Sequence, residues 1–200
     1  MSGRPSKKLL VTGLAAVSAA VFLAGCSTTT ASPQTELAAE TASGAPTAHH
    51  RGPEHLTAYT DNDGPTETVI ATGTIGDYGK AVSVHPDGTV DPEHDSELSL
   101  QLSHGTFRLN VAALDKAFTQ AFARDFPTNA ATCSGSFAVT QQVPVIAGSG
   151  TGAYKGVGGS FTLTVTLDEV DKTSAAQPCN GTAPFLSQAI VVSGPGTITF

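Results

Sequence analysis

The chain has 200 residues, 40% of them hydrophobic and only 14% charged, with 21 glycines, no tryptophan and a formal net charge of −7. Beyond residue 65, six Lys and Arg stand singly among twelve Asp and Glu. That leaves no basic stripe to displace counterions from a polyanion, and nucleic acid is excluded as a partner.

The first element in chain order is an export signal over residues 1–25. Arg4, Lys7 and Lys8 precede a mostly apolar run from Leu9 to Phe22, then come Ala24, Gly25 and Cys26. The run is shorter than the roughly 20 apolar residues of a spanning helix and is broken by Thr12, Gly13 and Ser18. Leu23-Ala24-Gly25-Cys26 resembles the lipobox of bacterial lipoproteins. The resemblance implies diacylglycerol on the Cys26 sulfur, a mature chain starting at Cys26, and a membrane partner held through lipid. The other reading is an ordinary secretory signal with an incidental cysteine. Loss of Arg4, Lys7 and Lys8 takes the formal charge from −7 to −10, so an anionic bilayer repels the domain and the lipid must do the anchoring. The expected location is extracytoplasmic, on the cell membrane.

Residues 26–65 are rich in Ser, Thr, Ala, Pro and Glu and show no sustained apolar period. They are expected to form a flexible tether, holding the domain roughly 35 Å from the lipid. His49, His50, Glu54 and His55 cluster within it, and Asp61-Asn62-Asp63-Gly64 looks like part of a calcium loop. The calcium pattern fails: Tyr59 occupies the preceding acidic position and no glutamate follows at the required distance. The histidines fit a solvated stretch, and no metal or other cofactor is expected.

From residue 66 to 200 the period is two, and one all-β domain is expected. Strands are expected over 67–75, 80–84, 98–102, 107–111, 135–145, 161–167, 187–193 and 196–200. Leu98, Leu100 and Leu102 alternate with polar residues, as do Phe107, Leu109 and Val111. A two-residue turn at His104-Gly105 would pair 102 with 107 and put all six on one face. Arg108 then points away from that face. Asp87, Asp91, Glu93, His94 and Asp95 form an acidic turn, read as a solvated hairpin loop. Leu114, Ala117, Phe118, Ala121 and Phe122 recur at helical spacing up to Pro127, predicting one short helix over 112–126. With Cys26 lipidated, Cys133 and Cys179 are expected to form a disulfide in an oxidising compartment, the alternative being two free thiols.

The stretch GSGTGAYKGVGG, residues 148–159, invites a phosphate-loop reading. It fails because a strand follows instead of a helix, and because Lys155 follows Tyr154. Its glycines serve a turn where strands approach closely. Gly150, Gly152, Tyr154, Gly156 and Gly159 match a G-x-G-x-Y-x-G-x-x-G turn, which resembles that of the allene oxide cyclase and dirigent-like barrel superfamily. The resemblance implies an antiparallel barrel of about eight strands around an apolar cavity. It carries over no catalytic residue, and no G-x-S-x-G elbow surrounds Ser149 or Ser160.

The residues expected to meet a small hydrophobic ligand are Tyr78, Leu100, Phe107, Leu109, Tyr154, Phe161 and Leu163. Tyr78 and Tyr154 follow glycine-containing turns that would set a phenol at the barrel mouth; a structural tyrosine bonding a turn carbonyl is the other reading. Three functions follow: a lipid-anchored barrel holding an apolar molecule, a cyclase- or isomerase-like enzyme acting by confinement, and a surface structural or adhesion module with a packed interior.

Overall fold

The computed structural model describes residues 51–62, 64–90, 96–173, 179 and 183–200. The signal segment, Cys26, residues 27–50 with His49 and His50, Asp63, and the acids Asp91, Glu93 and Asp95 with His94 lie outside them. Eight antiparallel strands form one sheet: β1 (Arg51–Thr60), β2 (Thr66–Gly73), β3 (Asp77–Val84), β4 (Glu97–Leu102), β5 (Gly105–Asn110), β6 (Ser134–Pro144), β7 (Gly158–Asp171) and β8 (Phe185–Thr199). Their order is β5-β4-β3-β2-β1-β8-β7-β6. The sheet curls until its two edge strands approach, with a bridge between Leu109 and Val145.

Helix α1 (Ala112–Asp125) joins β5 to β6 and packs on β6. Leu114 and Ala121 are its buried residues. Phe118 lies 5.2 Å from Phe137, ring centre to ring centre, and Phe122 stacks on Phe126 at 4.9 Å. The helix ends where expected: Phe126 is extended, as a residue before proline prefers. Among the described residues no helix is long and apolar enough to cross a membrane.

The β4–β5 hairpin keeps its predicted face but not its predicted register. Leu98 pairs with Leu109, Leu100 with Phe107 and Leu102 with Gly105, so Ser103-His104 is the turn. The slip is two residues, which restores the same side of the pleat. All six apolar residues of the hairpin are accordingly buried. Arg108 faces outward, and its guanidinium donates to Glu97 Oε2 at 2.7 Å and to the Pro86 carbonyl at 3.0 Å.

The sheet also begins earlier than expected. Within the stretch expected to be tether, residues 26–65, Arg51–Thr60 is a strand in the middle of the sheet, between β2 and β8. Its inward side chains are Glu54, Leu56 and Ala58, too few and too small to announce a strand. At the other end of the chain, the two strands expected over 187–193 and 196–200 are one long strand, β8. Pro195 has no N–H to give, and the β7–β8 ladder is interrupted there, between Phe161–Gly196 and Thr164–Ser193. Cys133 and Cys179 are joined, with Cα atoms 5.2 Å apart.

Candidate functional site

The glycine-rich stretch supplies the seam of the barrel. The Ile146 amide donates to the Arg108 carbonyl at 2.8 Å, Thr151 to Thr106 at 2.8 Å, and Ala153 to His104 at 2.9 Å. Ser149 Oγ accepts from the Arg108 amide at 2.9 Å and Thr151 Oγ1 from the Thr106 amide at 3.1 Å. Residues after β6 thus satisfy the free edge of β5, the service a neighbouring strand would otherwise give. The backbones run so close that a Cβ on Gly150 would overlap the Tyr154 carbonyl oxygen. Gly105, at φ +152°, meets the Thr151 carbonyl in the same way.

A single 3-10 turn, Gly152–Tyr154, ends this seam and drives Tyr154 into the barrel end. The ring is buried, edge-on to Phe107 at 5.4 Å and stacked with Phe200 at 6.3 Å. Its hydroxyl donates to Asp77 Oδ2. Asp77 opens β3, and its side chain is fully buried. Six donors surround its carboxylate: the Tyr78 amide at 2.7 Å, the Ser103 amide at 3.3 Å, Ser103 Oγ, the His104 amide at 3.1 Å, His104 Nδ1 at 3.0 Å and the Tyr154 hydroxyl. A carboxylate can only accept, so the His104 tautomer here carries its proton on Nδ1. The rest of the imidazole is two-thirds exposed.

Burial alone would raise the Asp77 pKa. Hydrogen bonds from Ser103, Tyr154, Tyr78 and His104 outweigh it and hold the carboxyl well below its usual range. Burial pushes the Tyr154 phenol well above its ordinary value, and the bond to Asp77 and the charges of Asp77 and Glu54 push the same way. An acid this firmly ionised is a poor proton acceptor, and a tyrosine held protonated is a poor nucleophile. The cluster is built to stay as it is: a latch between the β4–β5 turn, the start of β3 and the seam.

Glu54 is the second buried acid at this end. Its Oε2 accepts from the Ile75 amide at 2.8 Å, while Oε1 has no partner among the described residues. Burial raises its pKa against the lowering effect of the Ile75 and Thr74 amides. Sequence reasoning placed Glu54 among solvated histidines and passed over Asp77, Ser103 and the His104 side chain. The available signal was parity: counting back by twos from Ala81 on β3 puts Gly79 and Asp77 on the inner face.

Of the seven residues expected around an apolar ligand, Leu100, Phe107, Leu109, Phe161 and Leu163 lie together in the core, each 0% exposed. Tyr154 joins them at their end. Tyr78 does not: it is 69% exposed on the outer face of β3, opposite Ile70 of β2. Of the histidine group, His55 lies on the outer face of β1, its Nε2 2.9 Å from Ser193 Oγ. Asp87 accepts from the Thr89 amide at 2.9 Å and the Thr89 hydroxyl at 2.7 Å, closing a small turn. Among the described residues no three His, Cys, Asp or Glu side chains gather as a metal site requires. Comparisons with protein-family models, with curated proteins and with solved structures find no match.

Proposed function

We propose that the protein is an extracytoplasmic lipoprotein, anchored through Cys26, whose barrel acts as a rigid surface module and works through its outside. One observation carries the choice among the three functions: the barrel interior is filled. Leu100, Phe107, Leu109, Phe161 and Leu163 expose nothing, as do Leu56, Val69, Val143 and Ile198. The wall of an internal cavity is itself exposed to whatever could enter, so no void of even a water's size lies against these side chains. A drug-sized guest needs roughly 300 Å³ or more, and an apolar molecule could enter only by displacing this core. The firmly ionised Asp77 and protonated Tyr154 favour a structural over a catalytic reading of their buried cluster. The likeness of the 150–159 turn to the allene oxide cyclase and dirigent-like barrels then belongs to the scaffold, as fold alone does not fix chemistry.

Two measurements test this. Replacing Cys26 by Ala is expected to move the protein from the detergent phase to the aqueous phase, and unchanged partitioning overturns the anchor. Native mass spectrometry of protein taken from its own host is expected to give the lipidated polypeptide with nothing else bound inside. A stoichiometric apolar guest overturns the filled-interior reading and restores the ligand carrier.

A further inference from the structure

On the outer face of the sheet one row crosses six strands as Tyr78, Ile70, Thr57, Ser193, Thr164 and Thr140, from β3 through β2, β1, β8 and β7 to β6. In the next row Tyr59 of β1 pairs with Val191 of β8, with Thr68 and Thr166 on either side. Tyr59, Ile70, Tyr78 and Val191 are four of the six large apolar side chains exposed among the described residues, and they gather in one diagonal band. Such clustering marks a contact surface, which singly scattered residues would not. The only charge in either row is Lys80, beyond Thr68, in a chain of formal net charge −7. We propose that this band binds a neutral polysaccharide chain.

The two phenols set its reach. Two strand spacings of about 4.8 Å, with a two-residue step of about 3.4 Å per residue along the strand, separate the Tyr59 and Tyr78 positions by roughly 12 Å. Ile70 lies between them, cross-strand from Tyr78 and diagonal to Tyr59. Sugar rings laid along this line set their C–H faces against the phenols and the aliphatic side chains, and turn their hydroxyls to the neighbouring Thr and Ser. Thr57 Oγ1 lies 3.1 Å from Ser193 Oγ, and His55 Nε2 lies 2.9 Å from the same oxygen. A hydroxyl has one proton and two lone pairs, so this trio keeps unused positions for a guest.

Other partners fit less of the band. An anionic polymer meets one cation and the negative charge of the chain. A bilayer takes the four apolar side chains but leaves the Thr and Ser hydroxyls without partners. An extended peptide is held by the open edge of a sheet, and this band lies over central strands whose backbone groups are already paired. A second copy of the barrel meets it only along a strip, because two convex faces touch narrowly, short of the roughly 800 Å² per partner of a stable interface.

The proposal rests on the reading that the barrel works through its outside, and the two fail separately. An internal guest found by native mass spectrometry leaves glycan binding untouched, and a silent glycan titration leaves the filled interior untouched. Isotope-labelled protein is titrated with cellohexaose, maltohexaose and mannohexaose, and in parallel with polygalacturonate. The expected result is saturable movement of the Tyr59, Ile70, Tyr78 and Val191 backbone amides with at least one neutral oligosaccharide, while the Phe107 and Tyr154 amides stay in place. Tyr59→Ala and Tyr78→Ala, both at exposed positions, are each expected to weaken that binding about two- to tenfold at an unchanged melting temperature. Tyr59→Phe keeps the ring and is expected to bind as wild type does. Movement with polygalacturonate alone, no movement with any of the four, or unchanged affinity in both alanine variants overturns the proposal. So does movement of the same amides on raising the protein concentration without sugar, which assigns the band to a second copy.

Discussion

Replacing Tyr154 by Phe isolates the latch, because the ring contacts with Phe107 and Phe200 survive and only the hydroxyl is lost. That hydroxyl donates to a carboxylate with no exposed side-chain surface, so water cannot take its place. A hydrogen bond to a charged group contributes about 1.5–3 kcal/mol. For a domain of this size each kcal/mol moves Tm by about 2–4 °C, and the expected fall is about 3–12 °C at neutral pH. The pH dependence separates this cause from general loosening. Asp77 is held below its ordinary value of 3.8, so its contribution is complete above that value and is lost progressively as the pH falls from there toward the depressed folded value. Without the tyrosine donor the folded value lies closer to 3.8, and less remains to be lost. The gap between wild type and variant should therefore be full at neutral pH and should narrow below about pH 3–4. Thermal melts followed by circular dichroism across that range decide it. A Tm unchanged at neutral pH, or a gap of constant size down to the acid limit, refutes the reasoning.

Glu54 should behave in the opposite sense. Burial raises its pKa above 4.5, so the penalty for its charge is absent below that value, grows as the pH rises toward the folded value, and is constant above it. Glu54→Gln is expected to match or exceed wild type in denaturant melts at neutral pH and to lose any advantage on acidification. Gly150→Ala would set a Cβ against the Tyr154 carbonyl oxygen, with an expected loss of about 1–3 kcal/mol by urea denaturation. Replacing Cys133 and Cys179 together by Ser removes a bridge spanning 46 residues; the chain-entropy scale gives about 3–4 kcal/mol, measurable as a shifted denaturation midpoint. Non-reducing peptide mapping of the native protein should recover those two cysteines in one linked peptide.

Period-two alternation carried most of the sheet, because the inner face is aliphatic wherever the strand is deep in the barrel. It failed where the inner residue is not apolar. On β1 the inward sequence starts with an acid, Glu54, and the strand passed for tether; on β3 the inward Asp77 hid the start of the strand. The β4–β5 turn lies one position before the expected one, a two-residue slip in register, because alternation fixes a face but not a register. What selects Ser103-His104 over His104-Gly105 is the set of bonds from that turn to Asp77, 26 and 27 positions away in sequence. The latch was illegible for the same reason: its members come from β3, a turn and a loop, and only the closed sheet brings them together.

The segment 148–159 separates connectivity from closure. Every strand-to-strand ladder in the order from β5 to β6 is complete without residues 148–157, Gly158 and Gly159 being already part of β7; besides Tyr154 of the latch, those residues supply the bonds that turn an open sheet into a ring. A backbone cut there, or a substitution that lifts the segment off, would leave eight paired strands with a bare β5 margin displaying the N–H and C=O groups of Thr106 and Arg108. Such a margin accepts any extended chain that presents itself, the β6 margin of another copy among them. The glycines that allow the segment to lie so close thus keep neighbouring molecules from stitching into one continuous sheet.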